Sequence, residues 1–219
     1  MDINSIAHNQ LKDVSTGQMV TLESLWKDKA CVIIFFRRWG CVFCRVWAKE
    51  ISKIAPVLRE NNVRLIGVGV EELGVEDFVN GKFFDGELFV DVDKSTYKAL
   101  SFKRFGLFSI LAALFSSEAR AAMARGRQLK VGGDMRGDKV QVGGALVVSA
   151  GGKEVLLNFK QERPAEHLPN IKFFEALGIQ HLAPKEENSP VVNGVNEEEP
   201  KCTEDTCSVP AKEEVKTET

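Results

Sequence analysis

Cys31-Val32-Ile33-Ile34-Phe35-Phe36-Arg37-Arg38-Trp39-Gly40-Cys41-Val42-Phe43-Cys44 is the stretch on which the reading of the fold turns. From Cys31 to Phe36 it is a continuous apolar run, rich in β-branched and aromatic side chains, as expected of a strand covered on both faces. Beyond the cysteines, Trp47, Ile51, Ile54 and Leu58 recur at the spacing of one helix face, with Lys49, Glu50, Lys53 and Glu60 off it. The stretch therefore predicts a buried strand, a short loop from Arg37 to Gly40, and a helix that opens at the first of two cysteines. Pro56 lies inside the helical pattern and is expected to kink it, because proline lacks a donor and crowds the preceding turn.

Working outward, Val63 to Val70 reads as a second buried strand, followed by a short helix from Val75 to Asn80 that stops near Gly81. Glu87 to Val90 predicts a short strand and Lys94 to Leu100 a short helix. Ala145 to Ser149 and Glu154 to Phe159, joined by Ala150-Gly151-Gly152-Lys153, predict an antiparallel hairpin; Asn170 to Leu177 closes the pattern as an amphipathic helix stopped by Gly178. Parallel βαβ units, a hairpin and a final helix predict an α/β domain of thioredoxin-like order, a mixed β-sheet flanked by helices on both faces. Phe102 to Gly144 has the character of an insertion. Its apolar run Leu107 to Phe115 is too short to span a bilayer, and the Ala- and Arg-rich stretch Ser117 to Arg127 is expected to be helical. The apolar run suits core or lid packing, or the wall of a lipid-like substrate's site.

Of the 219 residues, 44% are hydrophobic and 27% charged, ordinary for a soluble globular chain. From Ala183 to Thr219, ten acidic residues face four lysines, which places −6 of formal charge there and about +4 on the rest of a chain of net charge −2. That end lacks aromatics and apolar periodicity and is expected to be a disordered acidic tail, residues 183–219, after one domain over residues 1–182. The near-neutral net charge argues against a general nucleic-acid binder. Neither a secretory signal nor an 18-residue apolar stretch is evident, so a cytosolic chain with no integral membrane association is expected. Five cysteines in a reducing compartment point away from a disulfide framework and toward redox chemistry or metal binding for any close pair.

That pair is Cys41 and Cys44. Cys41 sits beside a helix N-terminus, where free N–H groups and the helix dipole favour a thiolate, and Arg37, Arg38 and Arg45 add positive charge. Cys44 lies within the first helical turn, within disulfide reach. Cys41 is the candidate nucleophile and Cys44 the candidate resolving thiol, and burial of Cys41 is not expected. Two other readings stay open: half of a zinc site, although His8, His167 and His181 show no matching spacing, or two buried bystander cysteines. Cys31 falls in the strand as an inert core residue, and no function is favoured for Cys202 and Cys207 in the tail. Gly67-Val68-Gly69 fails as a dinucleotide loop because Glu72 stands at its sixth position, so no bound cofactor and no metal is expected. The basic surface at Arg37 and Arg38 is a candidate site for a substrate carboxylate; Trp39, Gly143 and Gly144 complete the candidate substrate-binding set.

Leu25-Trp26, Ala30-Cys31-Val32, Arg37 to Arg45, Val63 to Gly69, Phe102-Lys103-Arg104 and Gly143 to Ser149 together resemble the peroxiredoxin-like 2 family, over about Ile6 to Gly178. The resemblance implies a cytosolic enzyme that reduces the endoperoxides of prostaglandin H2 and its ethanolamide, prostamide H2, to F-type products. It implies thioredoxin as partner and NADPH as the ultimate electron donor. Ordinary peroxiredoxins carry Thr or Ser where this chain has Arg38, which argues against hydrogen peroxide activation by the usual hydrogen-bond network, and thioredoxins carry a cis-proline where Gly143-Gly144 precedes Ala145, which leaves more room beside the thiols; both departures favour a bulkier peroxide. A general thiol peroxidase, a protein disulfide reductase and a non-catalytic redox-sensing protein remain as alternatives.

Overall fold

β3, Ala30–Phe36, is the fifth strand of a seven-stranded mixed sheet in the spatial order Met19–Thr21, Gln10–Asp13, Glu87–Val90, Val63–Gly69, Ala30–Phe36, Gly144–Val148, Val155–Lys160. The computed structural model describes residues 1–106 and 117–184. In chain order the elements are helix α1 (Asn4–Ala7), strands β1 (Gln10–Asp13) and β2 (Met19–Thr21), then β3, helices α2 (Val42–Ser52) and α3 (Ala55–Glu60), and β4 (Val63–Gly69). Helix α4 (Val75–Asn80), β5 (Glu87–Val90), α5 (Ser95–Ala99), α6 (Ser117–Gln128), β6 (Gly144–Val148), β7 (Val155–Lys160) and α7 (Asn170–Ala176) follow.

Parallel pairing joins β3 to β4, from Ala30 opposite Val63 to Phe36 opposite Gly69, and β4 to β5. On its other side β3 pairs antiparallel with β6, which forms the hairpin with β7. The apolar run of β3 divides between two cores, as the alternation of a strand requires. Val32, Ile34 and Phe36 pack with the helices α2, α3 and α7 and with Phe78 of α4. Cys31, Ile33 and Phe35 pack on the opposite face with Ile6, Leu11, Trp26, Tyr97 and Phe102. All six are fully buried, and each large side chain so placed contributes about 2–3 kcal/mol of transfer free energy. The sheet is thus fixed at its centre, and the loop leaving β3 starts from a rigid point.

One expectation needs correction. The long kinked helix is two helices: α2 ends at Ser52, and Pro56 falls in the first turn of α3, where its missing N–H breaks no intrahelical bond. Strands β1 and β2 extend the sheet beyond β5, with β1 antiparallel to both neighbours, and no periodic signal announced them. The expected lipid-facing wall at Leu107 to Phe115 and the expected acidic tail lie outside the described residues, apart from the tail's first two residues, Ala183 and Pro184. Among the described residues no helix is long and apolar enough to cross a membrane.

Candidate active site

Cys41 is the N-cap of α2, at the carboxyl end of β3, with extended backbone and its carbonyl accepting the Arg45 N–H at 3.0 Å. Cys44 lies in the first turn. The Arg37 guanidinium donates from Nη1 to the Cys41 sulfur at 3.4 Å. Its other donors are fixed by backbone carbonyls: Nε to Gln141 at 3.0 Å and Nη2 to Lys139 at 3.2 Å. Cys41 is 6% exposed and Cys44 3%. The expected exposure of Cys41 is therefore corrected: the thiol is covered, and its charge is met by protein groups rather than by water.

Those groups decide which sulfur ionises. The Cys44 thiol beside it favours the Cys41 thiolate; burial opposes, and Arg37, the Cys44 amide and Arg38 add to the stabilisation, so Cys41 is held well below an ordinary thiol. Burial pushes Cys44 well above that range, and the adjacent Cys41 sulfur pushes it further. One proton shared unequally between two neighbouring sulfurs gives one nucleophile and one protonated partner. Cys31, buried on the other face and donating to the Leu25 carbonyl at 2.8 Å, is pushed up to about 12 by burial and stays a thiol.

The remaining sequence candidates are placed differently from expectation. Arg38 is 8% exposed, donating to the Arg136 carbonyl at 2.6 Å and lying 3.5 Å from the Asp134 carboxylate; neither Arg37 nor Arg38 forms an open basic surface. Trp39 is fully buried, its Nε1 donating to the Glu71 carbonyl at 2.5 Å and its ring packed against Phe36 and Phe78. Gly69 of β4 admits that ring, since a Cβ there would stand 2.0 Å from it; the Gly67-Val68-Gly69 run serves aromatic packing. Gly143 and Gly144 are demanded by strand packing, because a Cβ would meet the Phe35 carbonyl at 1.9 Å in the first case and the Phe159 carbonyl at 2.2 Å in the second. The room that they were expected to leave is filled by backbone.

Comparison with known proteins identifies the chain's relatives. The AhpC/TSA antioxidant enzyme family matches over residues 50–163, a span that begins after both cysteines. The prostamide/prostaglandin F synthase of Homo sapiens is 42% identical over 179 residues, covering 82% of this chain and 90% of its own length. That of Danio rerio is 37% identical over 208 residues, covering 95% and 98%. The chain belongs to the prostamide/prostaglandin F synthase family.

As a member of the prostamide/prostaglandin F synthase family, it is an oxidoreductase of thiol-dependent peroxide chemistry. Its fold is that of peroxiredoxins: peroxidoxin BcpB from Mycobacterium tuberculosis superposes with a TM-score of 0.52 at 16% identity, covering 80% of this chain and 93% of its own. Peroxiredoxin Q from Xanthomonas campestris gives 0.52 at 13%, covering 81% and 90%.

What the motif alone did not disclose in this prostamide/prostaglandin F synthase relative is the strap that covers it. Residues 130–141 run over the N-terminus of α2 and supply the carbonyls that hold Arg37 and Arg38. Arg45, 8% exposed, donates to the carbonyls of Trp39 at 2.9 Å and Gly132 at 2.8 Å. The Asp134 carboxylate lies 3.5 Å from Arg38 and 3.6 Å from Arg45. Asp138 shapes the far half: it accepts the Val140 and Gln141 N–H groups at 3.1 Å and pairs with Lys94 and Arg104. Although burial works the other way, Lys94 and Arg104 hold its carboxyl down to about 2. The Gly132-Gly133-Asp134-Met135-Arg136-Gly137-Asp138 composition signals turns, but which groups those turns would meet is a non-local fact.

His167 stacks on Trp47 of α2 at 5.2 Å with an interplanar angle of 8°. Burial, and next Arg37, lower the imidazole to about 4, while Glu50 acts in the opposite direction. Its Nε2 and Trp47 Nε1 are buried without a protein hydrogen-bond partner. Among the described residues no cluster of three or more His, Cys, Asp or Glu side chains is arranged to hold a metal ion.

Proposed function

We propose that this protein reduces the endoperoxide of prostaglandin H2 and prostamide H2 to prostaglandin F2alpha and prostamide F2alpha, with Cys41 as nucleophile and Cys44 as resolving thiol. The observation that carries the reading is the asymmetric thiol pair: Cys41 capped by Arg37 at a helix N-terminus, Cys44 protonated one turn on. The names of the relatives supply the substrate class.

The chemistry runs in two steps. The Cys41 thiolate attacks one oxygen of the strained O–O bond; an S–O bond forms, the O–O bond breaks, and the second oxygen leaves as an alkoxide that takes a proton. The Cys44 sulfur then attacks Cys41; the S–S bond forms, the S–O bond breaks, and the released oxygen takes the proton that Cys44 gives up. Two thiols become one disulfide, and one endoperoxide becomes two hydroxyls. Thioredoxin resets the pair by dithiol exchange in the cytosol, drawing electrons from NADPH, so the chain itself needs no bound cofactor. The Arg38 side chain, at the position where peroxiredoxins carry Thr or Ser, favours a substrate other than hydrogen peroxide.

The test is anaerobic incubation of the fully reduced protein with prostaglandin H2, without thioredoxin. One equivalent of F-type product and a Cys41–Cys44 disulfide mapped by mass spectrometry are expected. Disulfide formation with hydrogen peroxide and none with the endoperoxide would instead make the chain a general thiol peroxidase.

A further inference from the structure

We infer that Asp138 is a positioning residue for the thiol chemistry: its carboxylate fixes the Lys139 carbonyl, one of the two guides that aim Arg37 at the Cys41 sulfur. The inference rests on the reading of Cys41 as the reacting thiol. The two oxygens of Asp138 have separate partners. Oδ2 lies 3.0 Å from Lys94 Nζ and 2.9 Å from Arg104 Nη1, two cations from outside the strap. Oδ1 accepts the backbone N–H groups of Val140 and Gln141, each at 3.1 Å. The Asp138 N–H donates to Glu71 Oε1 at 2.7 Å, and the side chain is 9% exposed. The carboxylate is thus tied to other elements through one oxygen and holds the strap's backbone with the other.

The consequence reaches Cys41 through peptide geometry. The Val140 N–H and the Lys139 carbonyl belong to one planar trans peptide and point in opposite directions. By holding that N–H, Oδ1 turns the Lys139 carbonyl the other way, where it accepts Arg37 Nη2 at 3.2 Å. The second guide has its own support. The Gln141 carbonyl, which accepts Arg37 Nε at 3.0 Å, shares its peptide with the Val142 N–H, and that donates to the Lys103 carbonyl at 3.0 Å. A guanidinium is planar and rigid, so two fixed donors determine where Nη1 points, and it meets the Cys41 sulfur at 3.4 Å. Without the Asp138 carboxylate the Lys139 peptide is free to turn, and a guanidinium held at Nε alone can swing about that contact. The groups that bear on the sulfur are the Cys44 thiol, Arg37 and Arg38; Arg45 and Asp134 lie behind Arg38, and His167 is under the influence of Arg37.

Positioning and plain countercharge make opposite predictions. Removing the negative charge alone leaves Lys94 and Arg104 less compensated, which favours the thiolate and moves the Cys41 titration down. Releasing the Lys139 guide misdirects Arg37 and moves it up. The experiment is the pH dependence of iodoacetamide labelling at Cys41, read by peptide mass spectrometry, in the reduced full-length protein, Asp138→Ala, Arg37→Gln and the double variant. Asp138→Ala should raise the labelling midpoint by about half to one pH unit, less than loss of the whole Arg37 contact, because the charge and the Nε guide remain. In the Arg37→Gln background the same substitution should add no shift, since its effect passes through Arg37. Asp138→Asn keeps one acceptor oxygen but cannot serve both sets of partners, so its midpoint should lie between those of the parent and Asp138→Ala. If Asp138→Ala lacks a native near-ultraviolet circular dichroism spectrum, the sign of the Asp138→Asn shift decides. An unchanged or lowered midpoint, or an equal upward shift in the absence of Arg37, overturns the inference. Labelling is independent of turnover, so the result stands whether or not prostaglandin H2 is the substrate. An ordinary thiol midpoint of about 8.5 in the unaltered protein would overturn the reading of Cys41 and this inference together, whereas a depressed midpoint that Asp138→Ala leaves unmoved overturns this inference alone.

Discussion

The carboxylate of Asp134 stands in the space that a side chain on Gly40 would need: a Cβ at residue 40 would lie 2.3 Å from Asp134 Oδ1 and 2.4 Å from Oδ2. The glycine before Cys41 is therefore explained by a residue far along the chain, and a methyl group there must displace the Asp134 carboxylate. Gly40→Ala should lower folding stability by about 1–3 kcal/mol, the range for overpacking a closed site. Equilibrium urea unfolding measures this. A variant as stable as the parent would mean that the carboxylate moves aside freely and that the interlock is weak.

Arg37 acts on Cys41 directly, and its removal should be visible as a shift of an acid limb. The thiolate is present above the pKa of Cys41 and is lost as pH falls through it, so a depressed pKa keeps the sulfur reactive into the acid range. Arg37→Gln removes a charge-assisted contact worth about 1.5–3 kcal/mol, which corresponds to about one to two pH units. The acid limb of both Cys41 alkylation and turnover should move upward by that amount. Arg37→Lys keeps the charge but cannot hold two carbonyls and a sulfur in one plane, so its limb should fall between the two. Superimposable profiles for the parent and Arg37→Gln would show that the contact does not set the ionisation.

The parts of this architecture legible in the sequence are those encoded by neighbours in the chain. The run from Cys31 to Phe36 announces a doubly covered strand because its residues are apolar on both alternating faces, and both cores indeed receive it. The cysteine pair at the start of a helix is equally local. β1 and β2, Gln10–Asp13 and Met19–Thr21, are too short for a period of two to stand out. The burial of Arg37 and Arg38, which the sequence reads as a basic surface, is hidden for a different reason. Arginine is ordinarily exposed, and carbonyls supplied from residues 132–141, together with the Trp39 carbonyl and the Asp134 carboxylate, let three guanidinium groups lie under cover. Trp39 and Gly143 are likewise explained by partners across the sheet, Gly69 and Phe35, which adjacency in sequence does not reveal.

The roles assigned to the two sulfurs separate in single variants. Cys41→Ser removes the nucleophile and should abolish turnover, a loss of at least about a thousandfold on the scale of an absent covalent catalyst. Cys44→Ser leaves attack possible but removes the second thiol, so the reaction should stop after one event with Cys41 as a substrate adduct or its hydrolysed sulfenic acid. Intact-mass spectrometry after a single exposure to prostaglandin H2 reads either species. Steady turnover by Cys44→Ser with thioredoxin would show that another thiol resolves the intermediate.

His167 should govern stability in mildly acid solution. Its imidazole is lowered in the folded protein to about 4 from an unfolded value of 6.5, because burial first and Arg37 second disfavour the cation. Between those two values the unfolded chain binds the proton more tightly than the folded one. The stabilisation is therefore complete above pH 6.5 and is lost progressively as pH falls toward 4. The full shift corresponds to a ceiling of about 3 kcal/mol, reduced by whatever water reaches the ring. Replacing His167 by Gln removes the titrating group at the cost of the stack on Trp47, so the variant should be less stable at pH 7.5 yet lose less on acidification to pH 5. Urea unfolding at the two pH values provides the comparison. Parallel losses in the two proteins would place the acid sensitivity elsewhere, with Asp138 the next group to test only below about pH 4, where its own carboxyl begins to diverge from the unfolded value.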